Sequence, residues 1–411
     1  MQFLKGFVVK ILYIVEDYYP PHRVDVVELF AKSISKKGYK IEWLMRCDTA
    51  TLDCENIETW HGQKVHLFKR NNKRGLLGKL VKNINSILFD LKILSLSLKN
   101  NYEIIQVRDR YVAGIVAYFA ARLTNSKFIF WMSYPYPESK IYQAKNKYVP
   151  YPLLTYYKGK ISKIILYKIV LKLADYIFVQ SDEMLANVSS YGVSKEKMTA
   201  VPMGVKDEVL DFPLSEVSIN TKAPNLLYLG GISRIRKTEI LVDILSEVKI
   251  KYPNAVLTYV GDGQREEDKE IIYSSAERLG IKDSILITGN LRMDQAWEYV
   301  KNSDICISPI NPIPALLQAS PTKLIEYMAF AKPVVANKHP EQNDIFFEGG
   351  LGDTVSWDVN EFSNKIIYLL DNPNKAVEMA YKGRKYVKEK RVYSVIANKV
   401  IEGYDNLHNA T

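Results

Sequence analysis

Cysteine is nearly absent: Cys47, Cys54 and Cys306 are the only three in 411 residues, too few for a disulfide framework. They form no C-x-x-C, which also excludes a cysteine zinc site and makes a reducing cytosol the simplest home. Histidine is scarce at five, with no H-E-x-x-H, and no Asp-x-Asp occurs, so no catalytic metal is expected. No uncharged apolar run approaches the roughly 20 residues of a membrane-spanning helix. The opening Met1–Asp17 imitates a signal peptide, but Lys5 and Lys10 interrupt it and no small-x-small site follows. It reads instead as a first buried strand ending at Glu16. Gly (20) and Pro (17) are ordinary counts, which removes collagen-like and low-complexity architectures. The chain is expected to be soluble or to lie on a surface.

A hydrophobic share of 47% and a charged share of 25% belong to a folded globular protein. The length exceeds one compact core and suits two domains. Net charge is +10, and it is local. About eight Lys/Arg and one Asp lie between Lys69 and Lys99, and about eight Lys and no acid between Lys140 and Lys172. The remainder is therefore slightly negative, and the basic excess implies a face with a partner.

β-rich runs occur at Val8–Val15, Ile41–Met45, Ile104–Val107, Phe128–Met132 and Tyr176–Val179, then at Asn225–Leu229, Val256–Val260, Ser284–Ile287, Ile305–Ile307 and Pro333–Ala336. Amphipathic segments such as Val26–Lys37, Ala113–Leu123, Glu239–Lys251 and Glu270–Leu279 lie between many of them. This alternation predicts an α/β protein with parallel sheets and helices on both faces. Residues 211–224 have neither period and read as a linker. The expected organisation is an N-terminal domain over 1–210, a second domain over 225–390, and a C-terminal helix over 391–411 packing back on the first. Two such domains would face a cleft, and open sheets bind ligands at their carboxyl edges.

The stretch Ser320–Val335, S-P-T-K-L-I-E-Y-M-A-F-A-K-P-V-V, carries the most chemistry. Ser320 suits an N-cap and Pro321 the first helical position. Free N–H groups and the helix dipole at Ser320, Pro321, Thr322 and Lys323 would then face an anion. Glu326, one turn on, is placed to accept two hydrogen bonds from a diol. A diphosphate beside a ribose requires that combination; a capped helix feeding a buried strand explains the same residues without a ligand.

This stretch resembles the nucleotide-sugar motif of family-4 glycosyltransferases, which have the GT-B fold (two doubly wound Rossmann-like domains) and retain anomeric configuration. Tyr176–Gly204, Tyr228–Arg236, Val260–Gly263 and Ile287–Asn290 follow in the order of that family. The resemblance implies that Glu326 holds the ribose and that Pro321, Thr322 and Lys323 bind phosphate. It places a cation five or six residues after the glycine of Tyr228-Leu229-Gly230-Gly231, where Arg236 fits best and Lys237 and Arg234 compete. Such a cation would neutralise the departing diphosphate. Gly231, Gly289 and Asn290 fall among the donor-binding positions.

Three positions depart from the pattern. Gln318 stands where a Glu is common, and an amide cannot stabilise an oxocarbenium-like charge as a carboxylate would. The usual glycine-rich first loop is replaced by Tyr19-Pro20-Pro21-His22-Arg23-Val24. Ser133 stands near a common His. Catalytic duty in the first half then falls to Asp109, Arg108 or Glu138, with Asp109 equally readable as a helix cap; His22, Arg23, Ser133 and Glu138 are acceptor or loop candidates. Val260-Gly261-Asp262-Gly263 lacks the third glycine of a dinucleotide site, so no nicotinamide or flavin cofactor is expected.

Leu76, Leu77, Leu80, Val81, Ile84, Ile87, Leu88 and Leu91 recur at helical spacing with lysines between, and 142–172 mixes lysines with tyrosines. Such surfaces suit an anionic bilayer, although packed helices with snorkelling lysines look alike in sequence. The expected function is therefore a retaining, metal-independent glycosyltransferase, cytoplasmic and peripheral on the inner membrane face. It would move a sugar from a nucleoside diphosphate donor to a surface polysaccharide or glycolipid acceptor, lipid-linked in the leading version. A sugar-nucleotide epimerase of the same fold, or a non-catalytic nucleotide-binding partner of a glycan assembly, are the alternatives. No nucleic-acid module is recognisable.

Overall fold

The computed structural model describes residues 9–48, 57–70, 76–213 and 216–409. The chain forms two units, one of Met1–Tyr142, Leu153–Pro202 and Tyr393–Thr411, the other of Gln143–Pro152 and Met203–Val392. The expected linker was 211–224; the change of unit comes earlier, at Met203.

The first unit holds β1 (Lys10–Tyr18), β2 (Lys40–Asp48), β3 (Ile57–Trp60), β4 (Gln63–Arg70), β5 (Ile104–Arg108), β6 (Lys127–Met132), β7 (Tyr176–Val179) and β8 (Met198–Ala200). Their order is β3-β4-β2-β1-β5-β6-β7-β8, parallel except for the β3–β4 hairpin. Successive residues of β1 enter opposite cores. Leu12 and Ile14 join Phe89, Val107 and Phe130, whereas Ile11, Tyr13 and Val15 join Phe30, Trp43 and Trp131. Both faces of the sheet are thus buried, which is why its strands read as near-continuous apolar runs. Helix Tyr393–Asn409 packs on the second of these faces. Its Tyr404 hydroxyl donates to Gln106 Oε1 at 2.8 Å, and Gly403 leaves room for Phe178, whose ring would lie 2.5 Å from an added Cβ.

The second unit holds β9 (Asn225–Leu229), β10 (Val256–Val260), β11 (Ile285–Ile287), β12 (Ile305–Ser308) and β13 (Val334–Ala336). The order β11-β10-β9-β12-β13 is wholly parallel. Strand order reverses between β9 and β12, and ligands of open sheets bind at that reversal.

Cys47, buried on β2, is disulfide-bonded, which corrects the expectation of reduced thiols. Pairing depends on the approach of two Cα atoms and needs no C-x-x-C spacing. Cys306 is a free, buried thiol, and Cys54 lies outside the described residues. Cysteine usage therefore no longer argues for a reducing compartment. No helix of the described residues is long and apolar enough to cross a membrane.

Candidate active site

The turn after β9 is built to bring backbone close to backbone. Gly261, at φ +151°, ends β10 so near this turn that a Cβ there would meet the Gly230 carbonyl oxygen at 2.3 Å. Farther on, Tyr259 donates to the Thr238 carbonyl at 3.0 Å and Asn311 Nδ2 to the Ile235 carbonyl at 2.9 Å. Gly261→Ala is expected to force these turns apart, costing at least about 2 kcal/mol. Calorimetry would show it as a lower Tm for the second unit, and an unchanged Tm would disprove the close approach.

Two cations, Lys323 and Arg236, meet at Tyr228. The Lys323 ammonium lies 4.0 Å from the centre of the Tyr228 ring. Burial alone would raise the Tyr228 phenol, but Lys323 and Arg236 outweigh it and hold it below its ordinary value. Burial lowers Lys323, and Arg236 adds to that effect while Tyr228 opposes it. The half-buried Arg234 has a buried Nε with no acceptor. Among the described residues no carboxylate forms an ion pair with Arg234, Arg236 or Lys323. Crowded, unpaired cations in a half-buried turn are costly unless an anion joins them. Lys237 is exposed at φ +50°, whereas Arg236 acts on both Tyr228 and Lys323, so Arg236 is the better-placed member of the pair.

Glu326 stands one turn into helix Thr322–Ala329 and is 7% exposed. It accepts a long hydrogen bond from Trp297 Nε1 at 3.5 Å, and burial pushes its carboxyl up to about 7. Trp297 gave no sequence signal, because one tryptophan on an amphipathic helix reads as core. The expected N-cap role of Ser320 is corrected. Pro321 occupies the cap position, with no side-chain cap bond. The Ser320 hydroxyl instead accepts from Met203 N–H at 2.9 Å and donates to Glu341 at 2.6 Å, and Glu341 in turn pairs with Arg391 at 2.8 Å. A buried carboxylate outcompetes the helix amide for that hydroxyl.

Gln318 ends the short helix Pro314–Leu317, its Nε2 donating to the Pro314 carbonyl at 2.9 Å. His339 holds the same helix through Leu316 O at 3.1 Å; burial lowers the ring to about 4, so it is neutral. Its Nε2–H donates there, and Nδ1 accepts from Gln342 N–H at 3.4 Å. Gly289 (φ +74°) and the exposed Asn290 form the loop after β11, and Asn290 Nδ2 donates to Asp262 at 3.4 Å.

The first unit has its own polar cluster at the carboxyl ends of β1, β5 and β6. Arg108 donates to Asp25 at 2.9 and 3.1 Å and pairs with Asp109 at 3.1 Å. Ser133 donates to Asp109 through its N–H at 2.8 Å and through its hydroxyl. Burial raises the Asp109 carboxyl despite Arg108 and Ser133. Asp109 has φ +58°, and Arg110 occupies the cap position of helix Tyr111–Thr124, so the helix-cap alternative for Asp109 is corrected. Arg23 pairs with Asp17 at 2.9 Å and donates to Tyr136 at 3.4 Å, while His22 beside it is exposed. Glu138 pairs instead with Lys163 at 3.1 Å. The structure thus joins Asp109 with Ser133 and Arg108, while Glu138 finds its ion pair on Lys163.

Residues 214–386 match the family model described as glycosyl transferases group 1. An uncharacterized glycosyltransferase of Methanocaldococcus jannaschii is 24% identical over 67% of this chain and 64% of its own length. The alpha-monoglucosyldiacylglycerol synthase of Streptococcus pneumoniae is 22% identical over 64% of this chain and 57% of its own length. The chain thus spans less than two thirds of either curated relative. Anabaena HepE, solved with UDP and glucose, superposes at a TM-score of 0.70 with 14% identity, covering 97% of this chain and 99% of that one. The fold is GT-B.

Proposed function

We propose that this chain is a retaining glycosyltransferase that takes a sugar from a nucleoside diphosphate donor and delivers it to a glycolipid or polysaccharide acceptor. The observation that carries this reading is the pair Arg236 and Lys323, without a carboxylate ion pair, beside the buried Glu326 carboxylate. Cations match a diphosphate and the carboxylate matches a diol, and a nucleoside diphosphate presents the two together. The match to the glycosyl transferases group 1 model over this unit, and the UDP and glucose held by HepE, support the choice. In this reading Arg236 and Lys323 stabilise the leaving diphosphate, and Asp109 with Ser133 meets the acceptor or transferred sugar. Thermal-shift screening of nucleoside diphosphate sugars, followed by product analysis with and without EDTA, tests it. We expect transfer that survives the chelator. Interconversion of the free donor sugar would indicate the epimerase, and nucleotide binding without hydrolysis or transfer the non-catalytic partner.

The acceptor reading includes a membrane. Helix Pro152–Ile164 exposes Leu153 (71%), Leu154, Tyr157, Ile161 and Ile164 (59%), spaced along one side, with Lys158 and Lys160 exposed among them. Ile87, Leu88 and Leu91 of helix Leu76–Lys99 are also exposed; the side chains of residues 76–83 lie outside the described set. Packed helices with snorkelling lysines would bury these apolar groups, so the exposure favours peripheral attachment to anionic lipid. The inner face is assigned from the nucleotide donor, an intracellular metabolite. Replacing Lys158, Lys160 and Lys168 with Gln should weaken binding to anionic vesicles by roughly tenfold to hundredfold, at up to about 1 kcal/mol per lysine. Cosedimentation at low and high salt checks this, and salt-insensitive binding of the variant equal to wild type would contradict it.

A further inference from the structure

A second group of arginines belongs to the first unit, at the carboxyl ends of β2 and β5. Arg46, near the end of β2, and Arg110, just after β5, each stand over the buried Phe89 ring, at 5.0 and 4.8 Å from its centre. Each donates an Nη2–H to the one Ser86 hydroxyl oxygen at 3.3 Å, so the two guanidinium groups converge on a single point. Their direct ion pairs both fall on Arg110. Asp90 pairs with Arg110 at 2.6 Å, and Glu16 reaches it only at 3.5 Å from a side chain 61% exposed. Among the described residues no carboxylate stands within ion-pair distance of Arg46, and the nine-tenths-buried Arg110 keeps an Nε with no acceptor. Burial lowers Arg46 and the neighbouring Arg110 adds to that, while Glu16 and Asp90 partly oppose it.

We propose that Arg46, Arg110 and Ser86 form a binding site for a phosphoryl group carried by the acceptor. Convergent guanidinium forks match the several oxygens of a phosphate, which would give Arg46 the direct anionic partner it lacks. Phe89 holds both guanidinium planes in place, so little side-chain freedom is lost on binding. Neither residue belongs to the donor group, and neither was singled out in the sequence. Arg46 falls in an apolar strand and Arg110 in a mixed-charge turn, and only the fold brings them to one side chain. The inference rests on the acceptor role proposed for the first unit, and it narrows the acceptor from any glycan to one bearing phosphate.

The test is a calorimetric titration with inorganic pyrophosphate of the full chain carrying Arg236→Ala and Lys323→Ala, which removes the donor-side cations. One site is expected to remain. Adding Arg46→Gln should weaken that site at least tenfold, and Arg46→Lys should restore part of the loss. Ser86→Ala, which leaves both charges, should weaken it less. This series reads the site even if the Arg46→Gln chain fails to fold. A second arm compares monomeric dihexanoyl phosphatidylglycerol with dihexanoylglycerol and distinguishes a lipid phosphate from a free one; preference for the phosphate-bearing lipid assigns the headgroup. Absence of residual pyrophosphate binding, binding indifferent to all three changes, or equal affinity for glucuronate would overturn the proposal. No transfer activity is read, so failure of the glycosyltransferase reading would appear separately, as absent donor turnover in the wild-type chain.

Discussion

Arg236→Ala is expected to lower kcat for donor turnover by about 10²–10³-fold, as loss of one electrostatic stabiliser of a developing anion typically does. Ground-state affinity for the nucleotide should fall much less, because Lys323 remains 4.0 Å from the Tyr228 ring and still offers charge to the diphosphate. The distinction is kinetic. A group engaged mainly as the bond to phosphate breaks lowers kcat and kcat/KM together, whereas one that only binds donor raises KM. Arg236→Lys should recover part of the rate, since the charge survives while the fork does not. Steady-state kinetics on the preferred donor decide the matter. A pure KM effect would reassign Arg236 to binding, and a larger loss in Arg234→Ala would move the catalytic role two residues back.

The same cations show how far sequence reasoning reaches. Asn225–Leu229, Val256–Val260 and Tyr176–Val179 were bounded as they stand in the structure, because buried parallel strands are short, unbroken apolar runs between turn residues. The hairpin β3–β4 was missed, because Gln63–Arg70 alternates lysine, histidine and apolar residues and passes for a basic segment. Glu326, Lys323 and Arg236 are legible through the resemblance of their helix and turn to a known family, since local spacing alone also suits a capped helix and a solvated basic turn. What was not legible depends on contacts between distant segments. The Trp297 bond to Glu326 spans 29 positions, the Ser320–Glu341–Arg391 chain overrides a local capping preference, and His339 reaches back to Leu316. In the first unit Asp109 and Ser133 are separate candidates in the sequence, and their hydrogen bonds require β5 and β6 to lie side by side.

Glu326 should make nucleotide affinity depend on pH within an unusual range. Burial raises its carboxyl to about 7, while Trp297 and Lys323 partly oppose the shift. Only the ionised group can accept hydrogen bonds from both hydroxyls of a diol, and accepting them would favour ionisation further. Affinity for a nucleoside diphosphate is therefore expected to be full above about pH 8 and to fall as pH drops through 7, by up to tenfold per unit. Glu326→Ala should weaken binding by about 1.5–3 kcal/mol at pH 8, the loss of charged hydrogen bonds. Glu326→Gln separates this role from a structural one, because its effect on stability has the opposite sign. A carboxyl held above its unfolded value binds more protons when folded, so stability declines as pH rises from about 4.5 to 7. The amide removes that burden, and the nucleotide-free variant should melt higher than wild type at pH 8 and about equally at pH 5. Titration calorimetry and thermal melts at the two pH values measure both effects. A Glu326→Gln chain that binds nucleotide as tightly as wild type, with the same pH profile, would remove Glu326 from the ribose and leave it a buried carboxyl without a ligand.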